Sequence, residues 1–421
     1  MKEVSIGILG AGNVGRGLIE LIARDGEAIA ARTGIRLKVA AVFDRSYQKK
    51  SEALAGVPAS DDPSIVLSNP DVSIVVELLG GLSPAGDLIR SALSAGKAVV
   101  TANKALVSSP AGPELLKLAQ DQNLNFGFEA AVAGAIPIIR TLRMHCVSGE
   151  VRSIRGILNG TCNYMITRME EDGLDYDAAL RLAQEKGFAE ADPTFDVSGQ
   201  DAAQKLAILA GIALDSYVPV DRLRVEGIES IRPVDLKIAR RMGWVIRLLA
   251  IARRTDAGEL LRVHPAMIQE DHILASVKEE RNAVFVDSTS AGPSLLVGKG
   301  AGSHPTATAV LSDVIDLARG GEVRPALFQK TEPEARADFN YRFYVRVQTH
   351  DRPGVLAEIA TVFADHDISI ASFHQEEGPE PVQLVIVTHA ALESAMFEAV
   401  AEMDRLRAVM LPSVVIRIED L

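Results

Sequence analysis

Two cysteines in 421 residues, Cys146 and Cys162, are too few for a disulfide framework or a zinc cluster. They read as small buried apolar residues. No apolar run approaches the roughly 18 residues that a membrane span needs. The first strand begins at Val4, which leaves no room for a signal peptide, so the cytoplasm is the expected compartment. Positive charge is also short: 44 Lys and Arg against 56 Asp and Glu give a net charge of −12. That balance argues against nucleic acid or an anionic membrane as partner, and any basic site must be local. Histidine is scattered; His145, His264, His272 and His304 lack the spacing of a metal site or a triad. What remains is a globular composition, 48% hydrophobic and 24% charged, in a chain long enough for two or three domains.

The apolar run Ser5–Leu9 ends in Gly10-Ala11-Gly12-Asn13-Val14-Gly15, followed by Leu18, Ile19, Leu21 and Ile22 at helical spacing. Strand, glycine turn and helix in that order are the fingerprint of a dinucleotide site, against the alternative of a bare packing turn. The glycines permit a tight turn and close backbone approach, and the helix N-terminus faces the pyrophosphate. Further strands are expected at Lys38–Phe43, Ser73–Leu78, Ala98–Thr101 and Asn125–Phe128. Their C-terminal ends would gather Asp44-Arg45, Leu79-Gly80-Gly81 and Thr101-Ala102-Asn103-Lys104 along one edge, with Lys104 near cofactor or substrate. Asp44 favours the ribose of NAD, whereas Arg45 suits the 2′-phosphate of NADP, so the cofactor reads as NAD or NADP.

In Gly187–Lys205, Glu190, Asp192, Asp196, Asp201 and Lys205 fall within sixteen positions. Ser198 or Asp196 is expected to cap a helix starting near Gly199, which puts Asp201 and Lys205 one turn apart on one face. A carboxylate beside an ammonium suits a fixed, charged proton donor, although a surface ion pair would look the same. Upstream, Glu129–Pro137 is rich in small residues and leads into a helical Ile138–Met144, and Gly156–Tyr164 is a polar glycine turn after a strand.

Taken together, G-I-L-N-G-T-C-N-Y (156–164), A-E-A-D-P-T-F-D-V-S-G-Q-D-A-A-Q-K (189–205), T-A-N-K (101–104), E-A-A-V-A-G-A-I-P (129–137) and G-K-G-A-G-S-H-P-T-A-T-A-V (298–310) closely resemble homoserine dehydrogenase. The resemblance covers residues 1–320. It implies reversible reduction of L-aspartate 4-semialdehyde to L-homoserine by NAD(P)H, in threonine, methionine and isoleucine biosynthesis. It further implies that Lys205 is the acid/base with Asp201 beside it, and that Lys104 reaches substrate and nicotinamide. Glu190 would bind the amino-acid end of the substrate, with Asp196 and Thr161 shaping that site. Thr101 and Gly302 would serve the cofactor with the glycine turn, and Glu129, Val132, Gly134 and Ile136 would hold a structural sodium ion. Hydride addition builds negative charge on the carbonyl oxygen, which a nearby ammonium would meet. Free lysine titrates at about 10.4, so the reverse oxidation is expected to run faster above neutral pH.

Residues 340–421 read as βαββαβ, a ferredoxin-like sheet. D-R-P-G-V-L-A-E-I-A and D-I-S-I-A-S-F resemble the ACT domain, which implies an amino-acid effector, with L-threonine the natural candidate, at Asp351, Pro353 and Gly354. The expected architecture is therefore an α/β Rossmann domain (1–130) and an α+β substrate and dimerisation domain (131–320) whose helix 303–319 returns to the Rossmann unit. A linker (321–339) and a regulatory ACT tail (340–421) follow, in a homo-oligomeric dimer or tetramer. Another Rossmann oxidoreductase would lack the Glu190–Lys205 block, and an inert amino-acid sensor would have no use for Lys104, Glu190, Asp201 and Lys205 together.

Overall fold

The computed structural model describes residues 1–54, 56–146, 148–255, 258–320, 330–331, 338–375 and 380–420. The chain begins with β1 (Lys2–Leu9), α1 (Asn13–Thr33), β2 (Ile35–Phe43), β3 (Ala59–Ser60), β4 (Ile74–Glu77), β5 (Ala98–Thr101), the short α2 (Lys104–Val107) and β6 (Phe126–Gly127). The six strands pair in parallel in the order β3-β2-β1-β4-β5-β6. A parallel sheet is covered on both faces, and all four residues of β4 are buried. Strand order reverses between β1 and β4, and ligands of such sheets bind beyond the strand ends at that point. Sequence pattern reveals every strand except β3, whose two residues carry none.

The middle of the chain runs through β7 (Val151–Ile157), α3 (Gly160–Asp172), α4 (Thr194–Val197), α5 (Gln200–Leu214), β8 (Ser216–Tyr217), β9 (Arg224–Val225) and α6 (Pro233–Arg241). It continues into β10 (Trp244–Thr255), β11 (Gly258–Gln269), β12 (Arg281–Ser288) and β13 (Gly292–Lys299). The sheet order here is β13-β12-β7-β10-β11, antiparallel throughout. Hydropathy alternation does not announce β10, because Val245 through Ala252 are all buried. The cap expected for α5 is also different. Gly199, in the left-handed region at φ 84°, takes the N-cap position without a side-chain cap. Asp196 instead lies within α4, which leaves its carboxylate for other partners.

α7 (Ser303–Ala318) returns to the first sheet. Its Ala307, Val310 and Val314 share one core with Leu18, Ile19 and Ile22 of α1. Ser303 Oγ donates to the carbonyl of Asn13 at 2.6 Å, and Lys2 Nζ to that of Ala318 at 2.7 Å. Most of the expected linker lies outside the described residues; within it, β14 (Lys330–Thr331) pairs in parallel with β8.

The last unit is β15 (Asn340–Thr349), α8 (Val355–Asp365), β16 (Ile370–Gln375), β17 (Val382–Thr388), β18 (Ala391–Leu392), α9 (Glu393–Met403) and β19 (Val409–Ile418). Apart from the two-residue β18, this is the expected βαββαβ, in the order β19-β15-β17-β16. It is not a free tail. β19 pairs in parallel with β11 through Ala266–Arg417 and Met267–Ile418, so the two sheets are continuous. Phe343 and Val345 of β15 face α8 and α9, whereas Tyr344, Val385, Val387 and Ile416 enter the core of the middle unit.

Buried polar groups fasten that junction. Asp235 at the start of α6 accepts from Tyr344 Oη at 2.8 Å and from Arg346 Nε at 2.7 Å. Glu393 takes both terminal nitrogens of Arg262 at 3.0 Å and is also bound by Arg417 and Arg224. Arg417 in turn grips Glu226, just after β9. Among the described residues no helix is long and apolar enough to cross a membrane.

Candidate active site

At the end of β1 the chain must turn within a few atoms of its neighbours. Gly10 sits at φ 105°, and a Cβ on it would lie 2.9 Å from the Leu78 backbone. A Cβ on Gly15 would lie 2.2 Å from the Gly10 carbonyl oxygen. Only glycine meets both conditions. Gly12 is the N-cap of α1 and offers no side-chain cap, so the first amides of a 21-residue helix carry no side-chain partner there. These features suit a pyrophosphate. Asp44 is buried beside this turn and fully engaged. Its Oδ2 accepts from the Ala11 amide at 2.8 Å and Lys50 Nζ at 2.7 Å, and its Oδ1 from the Ser46 amide and hydroxyl. Burial would raise this carboxyl, but the bonds from Lys50, Ser46 and Ala11 prevail and hold it at about 2. Arg45 beside it is exposed.

A cleft of about 740 Å³ runs from Val14 and Gly302 past Lys104 to Thr161, Glu190, Asp196, Asp201 and Lys205. Four segments from separate parts of the chain meet in it. Lys104 opens α2, which Asn103 caps by accepting from the Leu106 amide at 3.1 Å. The stretch after β6 packs on the later glycine segment: Ala135 donates to the Lys299 carbonyl at 3.1 Å, and a Cβ on Gly134 would sit 2.7 Å from Gly300. Asn159 caps α3, and its amide nitrogen donates to both Asp196 Oδ1 and Asp201 Oδ2 at 2.8 Å. Thr161 Oγ1 donates to the Phe188 carbonyl at 2.6 Å and approaches Asp196 Oδ2 at 3.3 Å.

Asp201 is the hub. Its Oδ2 lies 2.7 Å from Lys205 Nζ and its Oδ1 3.2 Å from Lys104 Nζ. Burial alone would raise this carboxyl, yet Lys205, Lys104 and the bond from Asn159 outweigh it and hold the pKa below the usual carboxylate value. Asp196 is shifted the other way, by burial first and then by the negative charge of Asp201. Lys205 Nζ also donates to the Leu158 carbonyl at 2.7 Å, so its position is fixed from two sides. The helical spacing of Asp201 and Lys205 therefore marks a buried pair and not a surface one. The side chain of Lys205 is 11% exposed, against 35% for Lys104, which rides 5.8 Å from the Phe195 ring centre. Cys162 is buried behind Asp196, and burial pushes its thiol well up.

The other expected residues lie around this cluster and beyond it. The Thr101 hydroxyl turns inward, donating to Glu77 at 2.5 Å. The Glu129 carboxylate accepts from the Ile139 and Arg140 amides, both at 2.8 Å. Burial, then the charge of Asp313, pushes Glu129 up to about 7. Val132, Gly134 and Ile136 lie in the same buried segment, where Ala133 and Gly134 are consecutive left-handed residues. His304 stands 3.4 Å from Glu20 on the surface. Asp351, Pro353 and Gly354 form the exposed turn into α8, where the Asp351 amide donates to Glu380. Sequence reasoning missed Asn159 as the bridge between the two aspartates, although an asparagine three residues before Cys162 is a cap signal. It also missed Asn282, whose amide donates at 2.9 Å to the Leu158 carbonyl that Lys205 also uses; Asn282 and Leu158 are 124 residues apart, and no local pattern marks the pair.

Residues 137–315 match the family model described as homoserine dehydrogenase, residues 10–129 its NAD-binding domain, and residues 343–406 the ACT domain. The homoserine dehydrogenase of Pseudomonas aeruginosa is 39% identical, with both chains covered in full. That of Mycobacterium tuberculosis strain H37Rv is 40% identical over 99% of this chain and 98% of that protein. The crystal structure of a homoserine dehydrogenase from Thiobacillus denitrificans superposes with a TM-score of 0.91 at 40% identity, covering 100% of this chain and 99% of that one. A hyperthermophilic archaeal homoserine dehydrogenase in complex with NADPH superposes with a TM-score of 0.64 at 26% identity, over 76% of this chain and 98% of that one. With its glycine turn, its two-lysine cleft and these full-length relatives, the chain belongs to the homoserine dehydrogenase family.

Proposed function

We propose that Lys205 is the acid/base group in the interconversion of L-aspartate 4-semialdehyde and L-homoserine, with NADP(H) as the preferred cofactor. The observation that carries this reading is the fixed ammonium of Lys205, held in the cleft by Asp201 and the Leu158 carbonyl. Two of its three N–H bonds are committed, and the third is left for a substrate oxygen. The bound dinucleotide supplies hydride in one direction and accepts it in the other. As the C4 carbonyl carbon gains hydride, its oxygen gains a proton from Lys205, and Lys104 adds a second positive charge to the same cleft. Asp201 keeps both ammonium groups oriented. Glu190 at the rim of the cleft answers the substrate ammonium, and Asp196 with Thr161 shapes that end. The test follows NADPH absorbance with aspartate semialdehyde. Turnover is expected, and Glu190→Gln should raise the KM for semialdehyde about tenfold or more, the loss of one charged hydrogen bond. An unchanged KM would remove Glu190 from this role.

The preference for NADP rests on Asp44, whose two oxygens are spent on Ala11, Ser46 and Lys50, while Arg45 beside it is exposed. Arg45→Ala should weaken NADP⁺ binding about tenfold or more, the value of a charged hydrogen bond, with little change for NAD⁺, as read by calorimetry. Equal losses for both cofactors would overturn the preference.

A sodium ion held by main-chain oxygens of Glu129, Val132, Gly134 and Ile136 suits the segment electrostatically. Two buried carboxyls meet there, and burial pushes Asp313 up to about 6 alongside Glu129. Threonine as effector rests on the turn Asp351–Gly354, where Gly354 caps α8 without a side-chain oxygen. Assays with and without threonine decide that point. A homo-oligomer is favoured by the outer strand β16, which is exposed along most of its length and carries the exposed Phe373.

A further inference from the structure

We infer that Glu77 is a positioning residue for catalysis, binding together the two loops that carry Lys104 and the floor of the cleft beside it. The inference rests on the reading that Lys104 serves the reaction. Glu77 is the last residue of β4 and is fully buried. Its Oε1 accepts from the amides of Leu79 at 2.8 Å and Gly80 at 3.2 Å. Its Oε2 accepts the Thr101 hydroxyl at 2.5 Å. Thr101 Oγ1 then accepts the Asn103 amide at 3.0 Å. Asn103 closes the circuit by donating its side-chain amide to the Gly81 carbonyl at 2.7 Å, while its Oδ1 caps the helix that Lys104 opens. Leu79, Gly80, Asn103 and Lys104 all line the cleft, whereas Glu77 and Thr101 stand behind it.

The circuit has a polarity that favours an acceptor at position 77. Thr101 has one proton to give and directs it to Glu77, while the Asn103 amide takes one of the two lone pairs of its oxygen. Leu79 and Gly80 are donors too. In this arrangement residue 77 accepts on both oxygens. A carboxylate does so; burial holds this carboxyl above its ordinary value, although the bonds from Thr101, Leu79, Gly80 and the Asn103 side chain act against that rise. The Thr101 contact has the short length of a charge-assisted O–H···O⁻ bond. Glutamine has the same shape but presents an NH₂ group to one of the donors. Facing Leu79 and Gly80, that group meets two further donors; facing Thr101, it makes the hydroxyl turn its proton away and accept instead, and the loop carrying Lys104 loses its register against Asp201.

The test is a double-mutant cycle on the full-length enzyme, with Glu77→Gln, Lys104→Ala and both together, each checked for thermal unfolding and NADP⁺ binding. Glu77→Gln is expected to lower kcat by up to about 10²-fold, the effect of misplacing a reacting group by roughly 1 Å, with less than about threefold change in cofactor affinity. In the Lys104→Ala background it should add nothing, because the group it positions is gone. If Glu77→Gln does not fold, Thr101→Val removes the same donor and should give the same pattern. A loss that multiplies unchanged onto Lys104→Ala, or a folded Glu77→Gln enzyme with normal kcat, overturns the inference. Normal turnover by Lys104→Ala alone overturns the underlying role of Lys104 instead, and the two failures are distinguishable.

Discussion

Lys205→Ala is expected to cut kcat by about 10²–10⁴-fold, the usual contribution of a positioned general acid, while NADP⁺ binds as before. The fold should survive the change. Asp201, which loses one ammonium, keeps Lys104 at 3.2 Å and the Asn159 amide at 2.8 Å, so no buried carboxylate is stranded. Calorimetry with NADP⁺ separates a lost proton donor from a collapsed site. A variant turning over at near the parent rate would take Lys205 out of the chemistry. The pH dependence of the hub has a definite sign. Asp201 is depressed below its ordinary 3.8, so its contribution to stability is fully present above that value and disappears as pH falls through the lower folded pKa. Loss of activity on the alkaline side therefore cannot come from Asp201.

The largest effect on stability is expected from Glu393→Ala. This carboxylate is fully buried, and the guanidinium groups of Arg262, Arg417 and Arg224 all lie against it. Removing it leaves Arg262 buried without its two bonds and Arg417 with Glu226 alone. Breaking a buried pair in this way costs about 3–5 kcal/mol, a large part of the roughly 5–15 kcal/mol that holds a domain folded. Urea denaturation should show a lower midpoint with cleft kinetics changed less than stability. The double variant Glu393→Leu/Arg262→Met should be less damaged than Glu393→Ala, because buried pairs replaced by apolar residues leave no stranded charge. Equal stability of Glu393→Ala and the parent would mean that the network contributes little. Although burial raises the Glu393 carboxyl, Arg417 and Arg262 lower it further, so this support is present above about 4.5 and fades as pH falls below it.

The parts of this molecule that could be read from sequence are those set by short-range rules. The Gly10–Gly15 turn is readable because no other residue accepts its geometry, and the Asp201–Lys205 pair because a helix fixes its spacing. The ferredoxin-like order of the last unit is readable from alternation along β15 and from the helical spacing that follows Gly354. Failure begins where the decisive partner is distant. Ser198 and Asp196 looked like caps for α5 because they precede it, but a left-handed Gly199 starts that helix and Asp196 turns to Asn159. Thr101 and Glu77 are 24 residues apart, and the sequence offers no reason to pair them. β10 is buried on both faces and so shows no alternation. The docking of the last unit depends on Asp235 meeting Tyr344 and Arg346 more than a hundred positions later.

The hydrogen-bonded seam between β11 and β19 has a consequence for dissection of the enzyme. Were the chain cut ahead of Asn340, the amides and carbonyls around Ala266 and Met267 would become a raw border, open to any extended peptide. Asp235 would also lose the guanidinium that answers its charge. The ACT unit is thus part of the wall of the catalytic half, and shortened versions would call for a charged or proline-bearing repair along β11 before their kinetics could be compared with those of the whole.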